Sequence, residues 1–220
     1  MSTHAESYLE AIERLPDGAM LRLEGVTWEE YEQLLEEVAE WRGMRVSYDH
    51  GRVEIMSPTF EHENYIGSIT SMGRILSEEM DIVVEMAGAT TYKQEQLLQG
   101  SEGDQSFYVR NASAIIGKRG IDLDFDPPPD VVVEVDITNE SLRKFPIYAA
   151  FGVPEIWRYD GKQACIYSLA GQGYVEATSS LSFPCLTARA MTEFLDLSKT
   201  AGQTAVLAAF RLWVRAALVA

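Results

Sequence analysis

The sequence predicts an α/β domain, and three observations carry that prediction. Residues 130–137 put Val131, Val133, Val135 and Ile137 on one face of a strand and Asp130, Val132, Glu134 and Asp136 on the other, because side chains alternate along a strand. Residues 61–79 place His62, Tyr65, Ile66, Ile69, Met72 and Leu76 on one face of a helix. Short strand patterns and helical patterns are interspersed through the rest of the chain.

The elements follow in order. Residues 19–26 read as a short strand in which Leu21 and Leu23 alternate. Thr27 opens a helix as N-cap, and Glu30 three residues later completes a capping box. Trp28, Tyr31, Leu35, Val38 and Trp41 then recur at helical spacing. This stripe reads as core; an oligomer interface is the other use for it. Residues 45–56 form a hairpin turning at Tyr48-Asp49-His50-Gly51, and Ser57-Pro58 ends it before the long helix. Short strands are expected at 82–86, 90–93 and 106–109. Residues 121–126 alternate apolar and acidic side chains, with Asp122, Asp124 and Asp126 read as solvated. Pro127-Pro128-Pro129 leads stiffly into the valine strand. A helix is expected over 142–151, with Pro146 tolerable near its start and Gly152 at its end. Strands at 154–159, 165–169 and 174–177 precede two closing helices at 187–196 and 202–218.

Composition bounds the class. With 220 residues, 46% apolar and 24% charged, the chain is ordinary globular material with room for a sizeable core. No repeat or low-complexity linker divides it. The organisation expected is an N-terminal extension at 1–26, one domain at 27–200, and a C-terminal amphipathic helix at 201–220 packed on that domain. The formal net charge is −16. A protein that grips nucleic acid by neutralising phosphates is usually basic, so DNA binding here must come from a local patch, a divalent metal or a partner subunit. Cys165 and Cys185 lack companions for a zinc site and read as thiols in a reducing compartment. Residues 1–14 hold no apolar run of signal-peptide type, and 206–220 carry Arg211 and Arg215 and fall short of the ~20 residues a membrane span needs. A cytoplasmic protein without a membrane segment is the expectation.

Glu134 and Asp136 share the acidic face of a strand that is valine-rich on its other face. Burying an unpaired carboxylate costs several kcal/mol, so such acids need a metal, a basic partner or an open cleft. Two hard oxygen ligands suit Mg²⁺ or Mn²⁺, which bind through one or two carboxylates and keep waters. Lys144, near the start of the next helix, either folds back toward the acids or lies on the surface beside Arg143. Asp104, at the entrance to the 106–109 strand, joins Glu134 if the two strands are neighbours. His62 faces the core and is either a hydrogen-bonded structural histidine or a site residue; Glu54 and Glu63 flank the Ser57-Pro58 turn. No glycine-rich phosphate loop, Gly-x-Ser-x-Gly elbow or His-Glu-x-x-His helix is present, which leaves serine-hydrolase, nucleotide-loop and zinc-protease chemistry without a foothold.

The ordered blocks Val53-Glu54-Ile55-Met56-Ser57-Pro58, Glu61-His62-Glu63, Asp104-Gln105-Ser106-Phe107-Tyr108, Pro129-Asp130 through Thr138, Ser141-Leu142-x-Lys144-Phe145-Pro146 and Gly152-Val153-Pro154-Glu155-Ile156-Trp157 resemble the Uma-type family of restriction-endonuclease-like proteins. The resemblance runs from about Val26 to Pro184. It implies a PD-(D/E)xK core: a mixed sheet flanked by helices, with carboxylates at its centre holding Mg²⁺ or Mn²⁺. Asp104 matches the first acid and Glu134 the second, both as metal ligands. Lys144 matches a lysine moved from the strand to the following helix. Gly103 stands where the motif has proline, and Asp136 stands where it has lysine, with Lys93 as a reserve lysine. Asp136, His62 and Glu63 are expected to support the ligands. The implied function is metal-dependent hydrolysis of DNA phosphodiesters, by a homodimer or other homo-oligomer. The alternative is a nuclease-fold protein without catalysis, acting as a regulatory or binding module.

Overall fold

The computed structural model describes residues 3–38 and 43–219. Its elements are α1 (Thr3–Glu13), β1 (Met20–Glu24), α2 (Trp28–Val38), β2 (Arg45–Asp49), β3 (Arg52–Met56), α3 (Phe60–Met80), β4 (Glu85–Met86), β5 (Thr91–Gln94), β6 (Gln99–Glu102), β7 (Gln105–Tyr108), α4 (Ala112–Ile115), β8 (Val131–Val135), α5 (Phe145–Ala150), β9 (Glu155–Tyr159), β10 (Ala164–Ala170), β11 (Gly173–Ala177), α6 (Ala188–Ala201) and α7 (Gln203–Ala217). The α/β class holds, but the strands form two sheets. One runs β1-β3-β2-β6-β5 and the other β11-β10-β9-β8-β7-β4. The first is antiparallel throughout, whereas in the second β8 and β9 run parallel, joined through α5.

Local chemistry accounts for the entries and turns. The Thr27 N–H donates to Glu30 Oε2 at 2.9 Å and the Glu30 N–H to Thr27 Oγ1 at 3.2 Å, so the capping box forms and α2 begins behind it. Between β2 and β3, His50 and Gly51 take φ of 49° and 93°, the left-handed pair that matches a two-residue turn to strand twist. Thr59 caps α3 by accepting the His62 N–H at 3.2 Å.

Each sheet has its own core. Trp28, Tyr31 and Leu34 of α2 bury against Val46, Tyr48, Val53 and Ile55 of β2 and β3, with Tyr31 stacked on Tyr48 at 4.7 Å. The aromatic stripe is therefore spent inside the chain, with Leu34 rather than Leu35 at its centre; Trp41 lies outside the described residues. β1 joins the same sheet through β3, and Ile12 of α1 is buried in the same cluster. In the second sheet Val131, Val133 and Val135 pack against Ile66, Ile69, Met72 and Leu76 of α3, while Val132 faces Tyr148 and Ile156 on the other side. The two faces of the valine strand fall as the alternation predicts.

Two local expectations are corrected, the length of one strand and the exposure of Asp126. The strand at 82–86 shrinks to Glu85–Met86. The alternating stretch 121–126 is a turn, because its ends are tied by the Asp126 N–H donating to Asp122 O at 2.7 Å. Asp126 is not solvated there: it is buried, paired with Lys118, and accepts the Asp122 N–H at 3.0 Å. Among the described residues no helix is long and apolar enough to cross a membrane.

Candidate functional site

The chain passes from the first sheet to the second between β6 and β7, and the two residues that make the passage are Gly103 and Asp104. A Cβ on Gly103 would sit 2.6 Å from Val132 Cγ1, so no side chain fits there, and the missing proline has a steric reason. Asp104 is pinned to β8. Its N–H donates to Val133 O at 2.9 Å, and its Oδ2 accepts the Val135 N–H at 2.7 Å. These bonds straddle Glu134, which places the two acids side by side.

Lys144 closes the group. It ends a 3₁₀ turn (Leu142–Lys144) that leads into α5, and its Nζ lies 3.2 and 3.0 Å from the two carboxylate oxygens of Glu134 and 3.0 Å from Glu102 O. Tyr148, one helical turn on, donates its hydroxyl to Glu134 Oε1 and accepts Ser101 Oγ at 3.1 Å. Asp136 sits just beyond β8, accepts the Ser141 N–H at 3.1 Å on each oxygen, and pairs with Arg158 of β9. Asp104, Glu134, Asp136 and Lys144 line one pocket with Met20 and Met56, of about 20 Å³, enough for a single water.

The remaining expected residues divide. His62 reaches Asp104 Oδ2 with Nε2 at 3.1 Å. Glu63 reaches the group through Arg45, at 3.3 Å, and lies 3.7 Å from His62 Nδ1. Glu54 lies at the rim, accepting Arg22 Nε at 2.9 Å. Lys93 stands apart: it is exposed on β5 and paired with Glu32 of α2 at 2.6 Å. Sequence reasoning missed Arg45, Glu102, Tyr148 and Arg158. Arg45 is buried on β2 with Nε 3.4 Å from Asp104 Oδ1, and its only signal in the sequence was a charge at the mouth of a hairpin strand.

Burial and partners push the groups apart. Burial drives the Glu134 carboxyl up to about 7, with the charge of Asp104 adding to it and Lys144 opposing. Burial acts the same way on Asp104, but the His62 hydrogen bond, the Lys144 charge and the Val135 N–H outweigh it and hold Asp104 below the ordinary carboxylate range. Lys144 and His62 are each disfavoured as cations by burial and are nonetheless raised, Lys144 mainly by Glu134 and His62 by Asp104. One acid is thus firmly ionised and its neighbour is poised near neutrality, the separation expected of paired carboxyls with distinct tasks.

Among the described residues no group of three or more His, Cys, Asp or Glu side chains could hold a metal ion. A magnesium-type cation needs only one or two carboxylates, with water completing its shell. Asp104 Oδ1 is buried without a hydrogen-bond partner and has Arg45 Nε, itself unbonded, at 3.4 Å, so this oxygen still has a lone pair to offer an ion. The donor set fits such an ion, and Asp104 and Glu134 are the residues that could hold it.

Among curated proteins, none matches the chain. A crystal structure described as "a putative nuclease belonging to DUF820", from Anabaena variabilis ATCC 29413, is similar over 68% of this chain and 90% of its own, at 14% identity and a TM-score of 0.49. Residues 28–191, most of the chain, match the Uma2 family, described as "Putative restriction endonuclease", and the chain belongs to that family.

Proposed function

We propose that the protein is a metal-dependent endonuclease that hydrolyses DNA phosphodiester bonds. The observation that carries this reading is the convergence of Asp104, Glu134 and Lys144 on one pocket where the two sheets meet. Membership of a family described as restriction endonucleases supports it. A divalent ion such as Mg²⁺ or Mn²⁺, when bound, supplies charge neutralisation at the phosphate and lowers the pKa of water. Asp104 would hold it as a fixed anion, oriented by His62 and the Val135 N–H. Glu134 would complete the pair and, near its own titration point, exchange a proton with a water in the pocket. Lys144, anchored by Glu102 O, brings an ammonium group to where charge develops on the phosphate oxygens. A homodimer belongs to the proposal, since severing both strands of a duplex takes two such sites.

A second reading, a binding module that keeps the fold without catalysis, is favoured by one observation: Lys144 already pairs both oxygens of Glu134, and Arg158 pairs Asp136. Plasmid cleavage with Mg²⁺ or Mn²⁺ separates the two. Wild type is expected to cut, and Glu134→Ala to lose at least a hundredfold in rate while retaining its fold. Mn²⁺ is also expected to raise the melting temperature of wild type and not of Asp104→Ala, by mass action on the native state. Undiminished cutting by Glu134→Ala defeats the nuclease assignment; a metal response without cutting selects the binding module.

A further inference from the structure

The net charge of −16 hides an uneven distribution. Arg22, Arg45, Arg143, Lys144 and Arg158 all reach carboxylates in or beside one pocket. Arg45, Lys144 and Arg158 have side chains at most 15% exposed and face inward, each against an acid of the site. Arg22 and Arg143 differ. Their side chains are 50% and 55% exposed, and both converge on Glu54, at 2.9 and 3.8 Å, although Glu54 itself is buried.

Their position follows from strand register. Met20 of β1 is paired with Met56 of β3, and both line the pocket. Two residues along, on the same face, Arg22 is paired with Glu54. Arg143 arrives from the other side, directly before Lys144. The result is a rim in which one carboxylate gathers two guanidinium groups and leaves a surplus positive charge facing solvent. The bond from Arg22 to Glu54 uses Nε, and Arg143 approaches Glu54 through one terminal nitrogen, so further donors of both forks are left over. One guanidinium is enough to balance the buried Glu54, so the second is not accounted for by that carboxylate. Planar forks held at a fixed spacing suit phosphate oxygens.

We propose that Arg22 and Arg143, steadied by Glu54, bind the backbone phosphates of a DNA duplex next to the position being cut. This rests on the nuclease reading and supplies the local cationic patch that an acidic chain needs for such a partner.

The test is binding of a labelled DNA duplex to the full chain in Ca²⁺, measured against salt concentration. Each phosphate contact contributes ~0.9 to the slope of log affinity against log salt. Arg22→Gln and Arg143→Gln are each expected to flatten the slope by about that amount, and the double variant by about twice as much. Arg189→Gln, a change at an exposed arginine of α6, should leave it as in wild type. Where the double variant melts lower because Glu54 is left bare, the same two changes are placed on Glu54→Gln and the slope is read there. A folded double variant with the wild-type slope overturns this inference and leaves the nuclease reading standing. Failure of the wild type to bind duplex at any salt overturns both.

Discussion

Glu134 and Asp104 share one pocket, yet burial lifts the first to about 7 while the His62 and Lys144 side chains overcome burial and depress the second. For Glu134 the folded value lies above its ordinary 4.5, so the native state holds that proton more tightly than the unfolded chain does. The stability this contributes is complete below pH 4.5 and is lost as pH rises to about 7, where the buried carboxyl becomes an anion. Glu134→Gln cannot titrate at this position. The stability of wild type minus that of the variant, from urea unfolding without divalent ions, is therefore expected to fall between pH 5 and pH 7 and to level off by pH 8. A difference that rises over that interval contradicts the assignment. Of these side chains, Glu134 and Asp136 were legible in the sequence because the strand around them alternates so regularly. Lys144, which pairs Glu134, was named beside them, whereas Arg158 against Asp136 and Arg45 against Asp104 were not, since they come from separate strands that only tertiary pairing brings near.

At the scale of elements, β9 begins with Glu155, which is fully buried and is held by hydrogen bonds. Its oxygens accept the indole N–H of Trp157 and the backbone N–H groups of Leu181 and Ser182, at 2.9 and 3.1 Å for the last two. One carboxylate thus fastens the segment after β11 to the start of a central strand. Glu155→Ala is expected to cost about 1–3 kcal/mol for the buried donor of Trp157 alone. Hydrogen exchange at Leu181 and Ser182 should accelerate in the same variant, and unchanged protection there counts against the role. Elements with a strong period were legible: α3, β8 and the β2–β3 hairpin lie where periodicity and turn chemistry put them. β6 was invisible, since Gln99-Gly100-Ser101-Glu102 has no apolar alternation. It is a strand because its neighbours make it one: β2 and β5 pair on either side, and Gly100 lets the Tyr31 hydroxyl come up against the backbone. The stretch 121–126 alternates as well, yet it has no partner strand and forms a turn.

For the whole molecule, the decisive feature is that two sheets meet where the chain runs from β6 to β7, the shortest of its three passages between them. No periodic signal marks such a crossing, which is why one sheet was expected and two are found. Gly103 is where the crossing is tightest. Gly103→Ala would press a methyl group onto Val132, which is wholly buried in the middle of β8 and has nowhere to move. Overpacking of this sort costs roughly 1–3 kcal/mol. The melting temperature of the variant should drop, and its response to Mn²⁺ should weaken because Asp104 is the next residue. A variant as stable and as metal-responsive as wild type would show that the crossing tolerates slack.

The same crossing governs when the acids first come together. His62, Asp104 and Glu134 come from three separate segments of the chain, and they meet only when α3 packs on β8 and the crossing at Asp104 docks on Val133 and Val135. A chain in which β8 has not yet paired with that crossing carries these side chains but no assembled centre. If cutting DNA is the work of this pocket, a cell is shielded from half-made copies by geometry alone.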